Sequence, residues 1–148
     1  MSCTLLRGRY VVTDPDRLPG GVVEQGAVVV DGGRVAAIGP YSELRSRYTE
    51  ARELGSERDL IVPGLVNAHH HGQGLTTTAF GVQDDYLEPW IADFWARVRP
   101  TDVYLDTLLA AMRLLRSGIT SVLHIGYVRD PPSYEREARE ALRAYEDA

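Results

Sequence analysis

The chain has 148 residues, of which 44% are hydrophobic and 25% charged, and its formal net charge is −5. This composition is typical of a globular protein, and the acidic balance excludes a general nucleic-acid binder, which would need a basic face. No apolar run reaches the ~18 residues that a membrane span needs, residues 1–9 carry no secretory signal and the single Cys3 cannot form an internal disulfide, so a soluble cytoplasmic protein is expected.

The first part of the chain, residues 1–60, predicts short strands separated by turns. Three runs are rich in β-forming residues, at 5–12, 26–30 and 34–38. Asp31-Gly32-Gly33 has the composition of a tight hairpin turn between the second and third runs. Residues 41–54 are expected to form a short helix or an ordered loop. Together these elements favour a small β-sandwich over a parallel sheet.

The pattern changes in residues 61–148, where strands and helices alternate. Residues 60–66 form a nearly continuous apolar run, interrupted by Pro63-Gly64, as expected of a strand that is buried on both faces. Another apolar strand is predicted at 119–125. Because strand, helix, strand and helix follow one another, this part predicts a parallel α/β unit.

Two helices are predicted in this second part. Thr101 is expected to cap the first, which runs to about Arg116, and Gly118 stands where a left-handed residue ends a helix. Ser133 is expected to cap the second, whose apolar residues form one stripe.

Three consecutive histidines, His69, His70 and His71, follow the apolar run. Side chains alternate between the faces of a strand, so His69 and His71 are expected on one side and His70 on the other. Two imidazoles at positions i and i+2 can bind one divalent ion. A surface chelating patch would explain the triplet equally well, so the three histidines alone do not distinguish it from a metal site.

The surrounding sequence resembles the first-strand signature of the amidohydrolase superfamily, in which a Pro-Gly hinge precedes a His-x-His pair, here within residues 62–71. The likeness continues in the hairpin at 28–39, in the segment 84–91, and in residues 114–122, which are similar to the first barrel helix and second strand. Asn67 and the Asp-Asp…Trp segment look more like the branch that deaminates s-triazines, guanine-like purines and adenosine derivatives.

The resemblance implies the N-terminal part of a composite small β-sandwich, followed by the first two βα units of a (β/α)8 TIM-type barrel. It also implies Zn²⁺ or Fe²⁺ held partly by His69 and His71, and hydrolysis of a non-peptide C–N bond, most simply deamination of a nitrogen heterocycle by metal-bound hydroxide. The other ligands and the catalytic acid or base would come from later strands, beyond residue 148. The chain is therefore expected to be the N-terminal third of a longer enzyme, with negligible turnover on its own.

Three side chains are candidates for contact with the substrate. His124 lies near the end of the second strand, although a hydrogen-bonded core histidine is an equal alternative. Gln73 follows the histidines, where a solvated loop amide is the alternative, and Trp90 belongs to a lid-like segment in which aromatic residues also serve packing. Asp84 and Asp85 are interpreted as a solvated loop.

Two other functions stay open. The full-length protein could be a cyclic amidase or N-deacylase of the same superfamily, and a metal-bridging lysine on a later strand would favour such a two-metal site. The chain could instead be a non-catalytic remnant that binds metal or a partner. A small-molecule substrate is expected for either enzyme, whereas its identity, the metal and any homo-oligomer of the full-length protein are not determined by the sequence.

Overall fold

The computed structural model describes residues 3–17, 20–126 and 131–148, and it divides the chain into two compact units, residues 1–63 and 64–148. Both helices and strands are present, so the expected mixed α/β class is confirmed. None of the helices in these described ranges has the length and apolar character that a bilayer-spanning helix requires.

The first unit is built on one five-stranded sheet. Its strands are β1 (Thr4–Val12), β2 (Val22–Asp31), β3 (Arg34–Pro40), β4 (Arg52–Gly55) and β5 (Leu60–Ile61). On one side β1 pairs antiparallel with β2, and on the other it pairs parallel with β4 and then with β5. No second β layer is seen among the described residues of this unit, so the small β-sandwich stays a prediction.

The predicted hairpin turn is confirmed. Asp31 pairs with Arg34 across the end of β2 and β3, which leaves Gly32 and Gly33 as a two-residue loop. Their φ angles are +58° and +77°, and a turn of this kind needs positive φ at both positions. Glycine takes up these angles without a steric penalty, so the local sequence alone specifies the turn.

The core of the first unit lies between the sheet and one short helix, α1 (Tyr41–Arg47). Its buried residues are Leu5, Ala27, Val29, Leu44 and Ala51. The expectation of a helix or loop over 41–54 is wrong for its last residues, since Arg52 begins β4. The main-chain N–H of Arg52 donates to the carbonyl oxygen of Cys3, so this segment becomes a strand through pairing with distant residues.

In its described residues, the second unit contains a parallel strand pair and three α-helices. Its elements are β6 (Leu65–His70), α2 (Leu87–Arg97), α3 (Val103–Arg116), β7 (Ile119–His124) and α4 (Tyr134–Glu146). The strand predicted over 60–66 is divided, because Pro63-Gly64 separates β5 of the first sheet from β6. The expected burial on both faces is also not observed, since Val66 is 70% exposed.

Of the three predicted helix ends, the structure corrects one, supports another and bears out the third in position only. Asp102, not Thr101, caps α3: its carboxylate accepts a hydrogen bond from the N–H of Leu105 at 2.9 Å. A carboxylate also interacts favourably with the positive end of the helix dipole, which a hydroxyl cannot match. Gly118 has φ +78° and ends α3 as predicted. Ser133 precedes α4 but makes no capping bond, because its hydroxyl donates to Glu137 instead.

Candidate metal-binding site

The three histidines lie at the carboxyl end of β6. The pairing of β6 with β7 is irregular between Asn67 and His70. Within this interval the side-chain oxygen of Asn67 accepts a hydrogen bond from the N–H of His69 at 3.1 Å. This local bond provides a partner for a main-chain donor where the strand pairing is interrupted.

The rings of His69 and His71 converge. Their Nε2 atoms are 3.1 Å apart and the rings meet edge to face, with 4.9 Å between centroids. Nδ1 of His71 donates to the carbonyl oxygen of Ile125 at 2.8 Å, because a carbonyl can only accept. In a neutral ring this bond places the lone pair on Nε2, which is the atom that a metal ion would use.

This donor pair fits a divalent metal ion. Zn–N bonds of about 2.0–2.1 Å in a tetrahedral site place two ligand nitrogens about 3.3 Å apart. The observed Nε2 separation is close to that value without any rearrangement. No group of three or more His, Cys, Asp or Glu side chains that could hold a metal converges in the described part of the chain. His69 and His71 therefore offer two ligands.

The His70 ring packs against a different partner from the His69–His71 pair. It pairs across the strands with His124, and the two rings meet edge to face with centroids 6.3 Å apart. Its Nε2 is buried and has no hydrogen-bond partner among the residues that the structure describes. Burial, followed by the charges of His124 and His71, lowers the pKa of His70 below its usual value, which favours the neutral ring.

His124 is hydrogen-bonded as well as adjacent to the candidate site. Its Nδ1 lies 2.8 Å from the hydroxyl of Tyr145 on α4. Burial first, and then the charge of His71, lowers the pKa of His124, while burial raises the pKa of Tyr145. Gly72 packs against the His124 ring with φ +69°, and a Cβ at this position would collide with Cε1 of that ring.

A cavity of about 600 Å³ opens beside these residues, entirely within the second unit. His71, Gln73 and His124 line it, together with residues of α3 and α4. Trp90 is not among the lining residues: it stacks on Phe94, with ring centroids 5.3 Å apart, and packs in the cluster that contains Val82. Of the three candidate substrate contacts, the structure thus brings Gln73 and His124 to the cavity beside His71.

The segment before α2 has the solvated character expected of it. Asp84 and Asp85 are exposed, and neither lines the cavity. The carboxylate of Asp85 accepts a hydrogen bond from the N–H of Tyr86 at 2.7 Å, a local contact that is common in turns.

Sequence reasoning missed Asp106, which contacts the loop after the histidines. Its carboxylate accepts hydrogen bonds from the N–H groups of Gly74 and Leu75, 32 and 31 residues away. In the sequence Asp106 is an ordinary acidic residue of a first helical turn, so no local signal distinguishes it.

Comparison with known proteins identifies the family. The amidohydrolase family matches residues 60–148, which is more than half of the chain. A bacterial imidazolonepropionase-like composite domain matches residues 26–51. The chain belongs to the amidohydrolase family, and the resemblance noted in residues 62–71 is confirmed.

Three similar proteins are named as deaminases. A 5-methylthioadenosine/S-adenosylhomocysteine deaminase of Syntrophus aciditrophicus is 35% identical over 80% of this chain and 27% of its own length. A 5′-deoxyadenosine deaminase of Methanosarcina mazei is 31% identical over 97% of this chain and 32% of its own. An adenosine deaminase structure from Xanthomonas campestris, with bound zinc, has 28% identity and a TM-score of 0.65, over 97% of this chain and 31% of that one. The chain thus spans about a third of the length of these relatives.

Proposed function

We propose that this chain is the N-terminal part of a metal-dependent deaminase that acts on a nitrogen heterocycle of the adenosine type. The observation that carries the proposal is the convergence of the His69 and His71 Nε2 atoms, with the His71 tautomer set by Ile125. The names of the relatives favour deamination over cleavage of a cyclic amide or an N-acyl group. The bond that breaks is then the exocyclic C–N bond between a ring carbon and its amino group. Water supplies the oxygen that replaces this group, and the products are the hydroxylated ring and ammonia.

The proposed architecture is a composite of a small β-sandwich and a (β/α)8 barrel, with the boundary near residue 60. Two observations support it. Strands β6 and β7 are parallel and connected through α2 and α3, and a helical connection between parallel strands is the repeating feature of such a barrel. The histidines also lie at the carboxyl end of β6, and in these barrels the catalytic groups gather at that end of the strands.

In the proposed site, His69 and His71 hold a Zn²⁺ or Fe²⁺ ion and the carbonyl oxygen of Ile125 keeps the His71 ring in its binding orientation. The bound ion would supply a coordinated water of lowered pKa, and hence a nucleophile near neutral pH. The adjoining cavity falls within the range of about 300–1,000 Å³ that is usual for small-molecule sites. Gln73 lines it, and its amide can both donate to and accept from the nitrogen-rich edge of a purine.

The chain alone should turn over substrate at a negligible rate. Two histidines leave at least half of the coordination positions of an ion to water, and deamination also needs a positioned acid or base. We place the remaining ligands and that acid or base on strands beyond residue 148. Ammonia release from 5′-deoxyadenosine by the purified 148-residue chain, at a rate ordinary for an enzyme, would contradict this part of the proposal.

The metal site is tested with three matched alanine variants. Isothermal titration with Zn²⁺ should detect binding to the unchanged chain, and His69→Ala or His71→Ala should each weaken it by more than about tenfold because half of the protein ligands is lost. His70→Ala is the control, because the His70 ring packs against His124 with its Nε2 buried, so its loss should change the affinity by less than about threefold.

The same three variants test catalysis in the longer protein that carries this chain. Loss of either His69 or His71 should reduce ammonia release from 5′-deoxyadenosine by at least about a thousandfold, since a bound metal contributes several kcal/mol to such reactions. His70→Ala should have a much smaller effect. Equal effects of all three variants would refute the proposed pairing of His69 with His71.

A further inference from the structure

The loop that follows His71 is held by two side chains of α3. The N–H groups of Gly74 and Leu75 both donate to Oδ1 of Asp106, at 2.8 and 2.7 Å. Arg113, further along the same helix, donates to the carbonyl oxygen of Gly74. Three main-chain polar groups of this loop therefore have their partners on one helix.

The Asp106 carboxylate is itself well fixed. Its second oxygen accepts a hydrogen bond from the hydroxyl of Thr101 at 3.1 Å. Asp106 also lies in the first turn of α3, where the positive end of the helix dipole favours a carboxylate. Hydrogen bonds to an ionised acceptor are stronger than those between neutral groups. Asp106 thus accepts three hydrogen bonds from a position that the helix determines.

The loop main chain also packs directly against the helix. Gly74 is buried, and a Cβ built on it would lie 2.5 Å from the main-chain oxygen of Asp106 and 2.7 Å from Cβ of Leu109. Two residues earlier, Gly72 packs against the His124 ring. The main chain is therefore fixed at residues 72 and 74, with Gln73 between them on the wall of the cavity.

We propose that Asp106, assisted by Arg113, is a positioning residue for the metal ligand His71 and for Gln73. This inference rests on the proposed function, because it requires His71 to bind the metal. The Ile125 carbonyl orients the His71 ring, while the Asp106 contacts fix the main chain that leaves His71. Groups that orient ligands in this way typically change metal affinity by about 10–100-fold when they are removed.

A purely structural role for Asp106 predicts a different experimental result. If Asp106 only stabilises the fold, its loss should lower the unfolding temperature and leave the metal affinity unchanged. Asp102→Ala is the matched control, because it removes a carboxylate from the same end of α3, where the contact is a capping bond to Leu105 and does not involve the loop.

The test is Zn²⁺ titration calorimetry on the unchanged chain and on Asp106→Ala, Asp106→Asn and Asp102→Ala, with thermal unfolding recorded for each. Asp106→Ala should weaken Zn²⁺ binding about tenfold. Asp106→Asn should weaken it about threefold, since the amide oxygen still accepts the two N–H groups but lacks the charge. Asp102→Ala should lower the unfolding temperature and leave the affinity within about twofold.

Each outcome has a separate meaning. Unchanged Zn²⁺ affinity in both Asp106 variants would overturn the inference without contradicting the proposed metal site. So would an equal loss of affinity in Asp102→Ala, because general destabilisation would then explain it. If Asp106→Ala does not fold, the Zn²⁺ affinity of Asp106→Asn tests the inference instead. A lack of Zn²⁺ binding by the unchanged chain, or binding insensitive to His69→Ala and His71→Ala, would overturn the proposed function itself.

Discussion

The five-stranded sheet of the first unit and the strand pair of the second contain similar apolar residues, but they bury them to very different extents. In the first unit Leu5 and Val29 are fully buried beneath α1. In the second unit Leu65 and Val66, on β6, are 54% and 70% exposed. The buried residues of this unit lie instead around Phe94 and on the helices. Apolar composition alone therefore does not determine burial: β1 has strands on both sides and a helix above it, whereas β6 pairs only with β7 among the described residues.

The largest expected effect tests this contrast directly. Leu5→Ala should lower the free energy of unfolding of the first unit by about 3 kcal/mol, since it leaves a cavity in a closed core. Val66→Ala in the second unit should cost less than about 0.5 kcal/mol, because the side chain is mostly exposed. Hydrogen exchange of the β1 and β2 amides measures the first variant, and tryptophan fluorescence measures the second, since Trp90 and Trp95 both belong to the second unit. If both variants lost a similar amount of unfolding free energy, the proposed difference in burial between the two sheets would be contradicted.

A glycine pair within the second unit sharpens the comparison. Gly72→Ala should cost about 2 kcal/mol, because the left-handed φ of +69° is unfavourable for alanine and the new Cβ meets the His124 ring. Gly118→Ala, with φ +78° and no atom within 4 Å of the added Cβ, should cost only about 1 kcal/mol. Urea unfolding followed by tryptophan fluorescence compares them. Equal losses would mean that the His124 ring moves aside without penalty.

The helix starts provide a smaller contrast between the units. Asp102→Ala should cost about 1 kcal/mol, since it removes the capping bond of α3. Ser42→Ala, in the first turn of α1, should be nearly neutral because α1 has no side-chain cap and depends on the buried Leu44. Thermal unfolding of the two variants measures the difference. A cost for Ser42→Ala equal to that of Asp102→Ala would show that α1 also depends on local contacts at its start.

The smallest expected effect is a pH dependence confined to the second unit. All 4 histidines of the chain lie there. The folded structure lowers the pKa of His70 and His124 below 6.5, so the unfolded chain binds more protons as the pH falls. The free energy of unfolding of this unit, measured with a chelator present, should therefore be constant just above about pH 6.5 and fall below it. The effect should be weaker in His124→Gln, and the first unit, which has no histidine, is the internal control.

The sequence predicted the elements that local chemistry determines. Asp31-Gly32-Gly33 specifies its turn, and Gly118 ends its helix. It failed where a distant partner decides the structure: residues 52–55 become a strand only by pairing with β1.

The candidate site follows the same rule. The convergence of the His69 and His71 rings was predictable from their i, i+2 spacing. The cavity beside Gln73 was not, because α3 and α4 contribute much of its wall, and neither were the Asp106 contacts, whose partners are more than thirty residues away. Choosing between Thr101 and Asp102 as the cap of α3 likewise required the positions of both side chains.

The hydrogen bond from His71 to Ile125 has a consequence for mutational studies of this site. The acceptor is a main-chain carbonyl, which every amino acid carries, so no side-chain substitution at position 125 removes it. An alanine scan would therefore miss the contact that determines which ring nitrogen of His71 faces the proposed metal site. The orientation of this ligand is protected against point mutation at position 125, and a shift in the pairing of β6 with β7 is the kind of change that would disturb it.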